Sequence, residues 1–190
     1  MKKYLNLMLL LVTSPVIAAP VTYQIDNQHS FANFSVRHVV SKTSGTFSNI
    51  TGEIKIDPTQ LANASVNAKI DMNSVNTSLA KRDEHIKAPK YLDVLKFGEM
   101  TFVSHKIEAT TNTEGVMHGD LTLHGVTKAM AIPFKVLGFG ADPWGGERSG
   151  FEAHTTIKAS DFGFNWMKGE NAPVGDEISV TLLIEGTKAK

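Results

Sequence analysis

Along most of this chain apolar and polar residues alternate with a period of two. In "SVNAKIDM", Val66, Ala68, Ile70 and Met72 share one parity and Asn67, Lys69 and Asp71 the other, the pattern of a strand with one face buried and one in water. "FANFSVRHVV" places Phe34, Val36 and Val40 on one face, and "GVMHGDLTLHG" does the same for Met117, Leu121 and Leu123. "AMAIPFKVLG" contributes Met130, Ile132, Phe134 and Val136; "FEAHTTIKA" contributes Phe151, Ala153 and Ile157; "EISVTLLIEG" contributes Ile178, Val180, Leu182 and Ile184. "VTYQID", "GTFSNITGEIKID" and "EMTFVSHKIEA" add further strands, the phase slip between Phe47 and Ile50 being read as a bulge. "DPTQLANA", "NTEG", "LHGVTK", "GADPWGGERSG" and "GENAPVGDE" supply the turns between them. One segment departs from the pattern: Thr77 to about Val94 has helical spacing, with Leu79, Arg82 or Asp83 and Ile86 on one face, interrupted at Pro89.

Each strand has an apolar face that must leave water, and one or two short helices cannot cover eight or nine strands. An antiparallel barrel of about eight strands, apolar face inward, covers these faces and removes the exposed edges as well; a two-sheet sandwich is the alternative. The expected fold is therefore all-β, with the inward positions Phe34, Val36, Ala68, Ile70, Leu121, Phe134, Val136, Ala153, Ile157, Val180 and Leu182 as candidate lining residues. Small residues recur on the same faces, at Ala32, Ala68, Gly119, Gly138, Ala153 and Ala159. They suit an elongated apolar space for a lipid chain, but small and large residues also alternate in filled cores. Pattern alone leaves both readings open.

The first residues change the picture of compartment. Lys2 and Lys3, the run "LNLMLLLV" and the small residues of "PVIAAP" have the layout of a secretory signal peptide, with an apolar run too short to span a bilayer. Cleavage after Ala18 is expected, because a cut after Ala19 would leave Pro20 just beyond the scissile bond. Residues 1–18 are thus read as the signal and 19–190 as one domain delivered to the periplasm, without stable insertion in a membrane. The chain has no cysteine, which excludes disulfides, thiolate nucleophiles and Cys-ligated metals. Without Lys2 and Lys3 the charge balance is slightly acidic and shows no basic cluster, which argues against a nucleic-acid partner.

The densest candidate chemistry is "AKRDEHIKAP", where Lys81, Arg82, Asp83, Glu84 and His85 are adjacent. Arg82 and His85 at a barrel mouth would suit a polar head group. Alternatively the segment is a plug, with Leu79 and Ile86 packed on the barrel end and Arg82 and Asp83 pairing locally; this structural role is the expected one. No nucleophile, base and orienter stand at recognisable spacing. The seven histidines form no metal-binding spacing, and no metal is expected. "DPWGGERSG" lacks the context of a phosphate loop and reads as a hairpin turn, with Trp144 at a barrel rim.

Taken in order and spacing, "SVNTSLAKRDEHIKAPKYLDVLKFGEMTF", "GDLTLHGVTKAMAIPFKV", "DPWGGERSGFEA", "DFGFNW" and "VGDEISVTLLIEG" resemble the YceI-like family of polyisoprenoid-binding proteins. The resemblance runs from about Tyr23 to Gly186, and the family's "RD-x-H" motif falls on Arg82, Asp83 and His85. It implies an extended barrel similar to lipocalins, holding a long isoprenoid or other amphiphile, in an exported bacterial protein with no catalytic residue and no cofactor. The expected function is non-catalytic binding of such an amphiphile, an isoprenoid quinone or polyprenyl phosphate, for storage, sequestration or transport. Two other readings stay open: an enzyme acting on a lipid in a lipocalin-like barrel, and a stress-related interaction protein with a filled barrel. Oligomeric state is also open, a homodimer included.

Overall fold

The alternating segments pair antiparallel throughout. The computed structural model describes residues 19–190 except Lys168 and Glu170, so the signal sequence expected at residues 1–18 lies outside the described residues. The elements are β1 (Val21–Ile25), β2 (Phe31–His38), β3 (Ser41–Phe47), β4 (Ile50–Ile56), β5 (Ser65–Asp71), β6 (Val75–Asn76), α1 (Ala80–Lys87), β7 (Glu99–Ala109), β8 (Glu114–Leu123), β9 (Val126–Ala141), β10 (Glu147–Lys158) and β11 (Val174–Lys188). Eight strands close a ring in the order β1-β4-β5-β7-β8-β9-β10-β11, with β11 returning to β1. The fold is the antiparallel barrel that the alternation requires, with one α-helix among the described residues. Short β6 and the β2–β3 hairpin extend the wall from β11.

Closure depends on β11. Its residues Ile178–Leu183 pair with β2 and Gly186–Lys188 with β1, while its other edge pairs with β10 over Glu177–Thr187. Between β1 and β2 the chain bends at residues 26–30, and Ser30, fully buried, holds the bend to the seam. Its hydroxyl donates to the Glu185 carbonyl at 3.2 Å and accepts the Glu185 N–H at 3.1 Å, while the Asp26 N–H donates to the same carbonyl at 2.8 Å. A side chain thus supplies hydrogen bonds where ladder pairing lapses.

The two ends of the barrel are built differently. The far end has brief connections: residues 57–64, 110–113 and 142–146. The helix end carries the two long ones, residues 77–98 with α1 and residues 159–173, together with the tips of the β2–β3 and β8–β9 hairpins. Interior packing follows the same division. Tyr23, Ile56, Leu61, Ile107 and Phe151 belong to the cluster toward the far end; Ile50, Met72, Val94, Leu123 and Phe162 belong to the one beneath the helix end.

Five expectations need correction. "GTFSNITGEIKID" is two strands, because the chain leaves the ladder at Ser48 and Asn49 and β4 pairs with β1 and β5 rather than with β2. Val40 does not face the interior: with Val39 it forms the tip of the β2–β3 hairpin, between the paired His38 and Ser41, and is 98% exposed. Gly138 also faces out, since the register between β9 and β10 shifts beside Gly150 and reverses the parity beyond Val136. The helix is shorter than its spacing suggests, because Ala88 takes the extended conformation that the following proline imposes. Of Leu79 and Ile86, only Ile86 packs on the core; Leu79 is exposed.

Ser30→Ala is expected to reduce the free energy of unfolding by about 1–3 kcal/mol, because the buried Glu185 amide loses its partner. Urea denaturation measures it, and a change below a few tenths of a kcal/mol would show that the bend does not depend on this hydroxyl.

Candidate functional site

Inside the ring is a cavity with about 150 Å³ open to the centre of a water-sized sphere. Its wall includes Ile25, Ile54, Val66, Met100, Phe102, Ile107, Met117, Ile132, Phe151 and Ile184. Eight of the positions read as inward from the sequence also line it: Ala68, Ile70, Leu121, Phe134, Ala153, Ile157, Val180 and Leu182. Several of these, with Val66 and Phe102, point inward yet are only half-buried, because empty space rather than a neighbour lies beyond them. Thr155 brings a hydroxyl to the inward parity of β10; Thr101 and Glu152 touch the space from outward-facing positions. No ionisable side chain among the described residues points into the cavity.

Phe34, Val36 and Val136 are placed elsewhere. Phe34 and Val36 sit on β2, outside the eight-strand ring, and Phe34 packs on Phe47 at a ring distance of 5.5 Å. Val136 is buried near the far end with Tyr23 and Phe151. Parity gave the direction of these side chains but could not show that β2 leaves the ring or that packing takes up Val136.

Arg82 and His85 also lie off the cavity wall. Arg82 is turned back on its own segment, its Nε donating to the Thr77 hydroxyl at 2.7 Å and its Nη2 to the Thr77 carbonyl at 2.6 Å. Thr77, itself buried, donates its hydroxyl and N–H to Asp83 Oδ1 at 2.6 and 2.8 Å. The hydroxyl's hydrogen bond, more than the Lys87 and Arg82 charges, holds the Asp83 carboxyl below the usual range. Thr77, Arg82 and Asp83 therefore fasten the start of α1. His85 packs tilted against Tyr91 at 4.7 Å and begins a row of rings across the helix end: Tyr91 to Trp166 at 6.3 Å, Trp166 to Phe164 at 4.5 Å, Phe164 to His124 at 4.5 Å and His124 to Phe97 at 4.2 Å. Sequence reading missed this aromatic cover, since its members come from three separate connections and share no periodicity.

At the far end Asp26, His29 and Glu185 bring three potential metal ligands within 4.8 Å of one another. Arg148 already neutralises this group, its Nη1 lying 2.6 Å from Asp26 and 2.8 Å from Glu185 while its Nε bonds Asp142 at 3.0 Å. Burial alone would raise the Asp26 carboxyl; hydrogen bonds from His29, the Gln28 N–H and Arg148 together lower it. The arrangement pins the seam to the β9–β10 hairpin with a cation the chain itself provides.

A family model for the YceI-like domain matches residues 23–186. The chain belongs to the YceI-like domain family. This YceI-like chain is 36% identical over 183 residues to Protein YceI of Salmonella arizonae, an alignment covering 96% of this chain and 94% of that protein. Its barrel matches the crystal structure of Burkholderia cenocepacia BcnA with a TM-score of 0.75 at 22% identity, covering 85% of this chain and 98% of the other. It also matches a polyisoprenoid binding domain from Saccharophagus degradans with a TM-score of 0.69 at 18% identity, covering 90% and 99% of the two chains. At these identities both structures speak for a shared fold.

If the Thr77–Asp83–Arg82 cluster is a fastening, Thr77→Val should lower stability by about 1–2 kcal/mol at neutral pH. Asp83→Asn should also destabilise, and its deficit should shrink on acidification. A carboxyl whose folded pKa is depressed contributes fully above its unfolded value, about 4, and loses that contribution as pH falls through the folded value. Urea titrations near pH 7 and about pH 3 check this; a deficit of the same size at both would mean that the charge of Asp83 is not used.

Proposed function

We propose that this protein binds a long-chain amphiphile, of the polyisoprenoid class, in the barrel interior, for carriage or storage and without chemical turnover. The cavity supports this reading: about 150 Å³ bounded by apolar side chains, with Thr155 as the inward-facing polar group. Leaving such a space empty costs on the order of 3 to 4 kcal/mol relative to a filled core. A barrel that needed only stability gains nothing from it.

Shape and wall chemistry favour a chain over a compact ligand. Ten residues of β8, tilted as barrel strands are, span about 25 Å along the axis. The empty cavity is smaller than the 300–1,000 Å³ or so of typical ligand sites. A long tail is therefore accommodated by displacing side chains, and Met100, Met117 and Phe102 on the wall have the rotamer freedom for it. The proposed ligand-binding residues are the eight predicted positions that line the space, joined by these three. Arg82 takes no part in head-group binding, because its guanidinium is committed to Thr77. Catalysis is not proposed: the wall offers neither a base nor an activated nucleophile. The basic, apolar and small-residue order of residues 1–18 supports export to the periplasm, where the mature chain begins at Ala19.

Mass spectrometry of the organic extract from natively purified protein should find a co-purifying isoprenoid or related long-chain lipid. Ala68→Phe combined with Ala153→Phe puts two rings into the cavity and should leave the empty protein folded while reducing that lipid several-fold. Severe unfolding of each single variant, with no lipid in the wild type, would remove the carrier reading. Intact mass of the periplasmic product tests the export step: a chain starting at Ala19 is expected, and one retaining Met1 contradicts it.

A further inference from the structure

The helix end presents to water what a soluble barrel normally hides. Two-residue hairpin tips favour Gly, Asn or Asp, which tolerate positive φ. Here the tip is Val39 and Val40, with Val39 at φ 52°, a strained conformation for a β-branched residue, and Val40 98% exposed. Leu95, on the connection from α1 to β7, is 95% exposed, and Leu79 at the start of α1 is exposed as well. None of the four belongs to the core, so their apolar character is not explained by packing within the chain.

Unpaired lysines lie around them. Lys42, Lys81, Lys90 and Lys96 are exposed at this end without a carboxylate partner among the described residues, while the guanidinium of exposed Arg37 is engaged by the Val39 and Ala172 carbonyls at 3.1 and 3.0 Å. Among the described acidic residues here, Glu84 pairs with Lys87 and Glu99 with Lys69, while Asp83 is held by Thr77, Asp71 by Asn49 and Asp176 by Ser160; Asp93, Asp161 and Glu177 are the others. The far end also exposes a large apolar residue, Trp144 at 82%, but the side chains near it include Asp142, Glu147, Asp26 and Glu185, with Arg148 and Lys188 already engaged by them. Exposed aliphatic tips set among unpaired lysines match an anionic bilayer surface: the tips enter the acyl boundary while the lysines meet lipid phosphates.

We infer that the helix end docks reversibly on an anionic lipid bilayer. The contact falls where residues 77–98 and 159–167 cover the barrel, so the part of the molecule outside the ladder pairing faces the leaflet. Only the direction of lipid traffic rests on the amphiphile-binding reading; docking itself needs no cargo.

The test is co-sedimentation of the mature protein with vesicles of equal parts phosphatidylethanolamine and phosphatidylglycerol, against vesicles of phosphatidylcholine. Binding is expected to the anionic vesicles, to weaken as salt rises, and to fall at least ~10-fold in Val40→Asp combined with Leu95→Asp. That variant should keep the wild-type melting temperature and uptake of a soluble apolar fluorophore, and Trp144→Asp should bind vesicles as wild type does. Absence of binding to anionic vesicles, binding undiminished in the double variant, or loss in Trp144→Asp instead would each overturn the proposal. So would a double variant that converts a dimer to a monomer in sedimentation velocity while wild type ignores vesicles, which would assign the surface to a second copy. Vesicle binding by a protein that takes up no fluorophore would leave docking standing and count against the cargo reading alone; fluorophore uptake without vesicle binding would do the reverse.

Discussion

Closure of the sheet along β11 is the constraint on which the rest of this structure depends. A strand with a free edge invites pairing with other chains, and here a single strand takes β10 on one side and both β1 and β2 on the other. The bend between β1 and β2 is tolerated because Ser30 and Asp26 keep Glu185 bonded through it. Farther along, Tyr23 adds a second pin: its buried hydroxyl donates to Glu147 at 2.5 Å, and burial with the adjacent anion keeps the phenol protonated well beyond its ordinary range. Glu147 is held correspondingly below the usual glutamate range, first by that hydrogen bond and then by Lys188. Polar fixings of this kind let the interior be underfilled, because the shape of the wall does not rest on core packing alone.

The interior in turn shows how small residues are spent. A Cβ on Gly119 would lie 2.3 Å from the Val103 carbonyl oxygen and 2.7 Å from the ring of Phe102, so glycine here lets β8 and β7 approach and lets that ring lie across the wall. Ala68 and Ala153, by contrast, leave their space open. One kind of small residue serves close approach and the other serves vacancy, and both appear in the sequence simply as small residues on the apolar parity.

That is also the measure of what could be read in advance. Strand parity in β5, β8, β10 and β11 follows directly from alternation, since those strands are regular and half-wet, and the barrel follows from the need to cover their faces. The β2–β3 hairpin was hidden because its tip, Val39–Val40, carries strand-like residues where turn residues belong. Gly138 was misplaced because a register shift beside Gly150 reverses parity, and such a shift has no local signature in β9. The cavity wall was legible in direction but not in neighbourhood: Phe34 and Val36 lie on β2, outside the ring, although Phe34 pairs with the lining residue Val180, and Val136, opposite Phe151, is taken up by packing with Tyr23. The polar cluster at Arg82, Asp83 and His85 was visible as a cluster, whereas its task depended on Thr77, a neutral residue that draws no notice until it is seen buried between two charges.

The unequal lengths of the connections at the two ends have an evolutionary consequence. On the proposed amphiphile-binding reading, exchange of cargo through the helix end proceeds by rearranging segments that contribute little to the ladder, so its rate and the global stability of the barrel draw on different residues. Substitutions in residues 77–98 and 159–173 can then retune residence time, while substitutions on the wall retune selectivity and the seam is left alone. A lineage carrying this fold can diversify in what it holds and for how long, with mutations that never have to cross a folding threshold together.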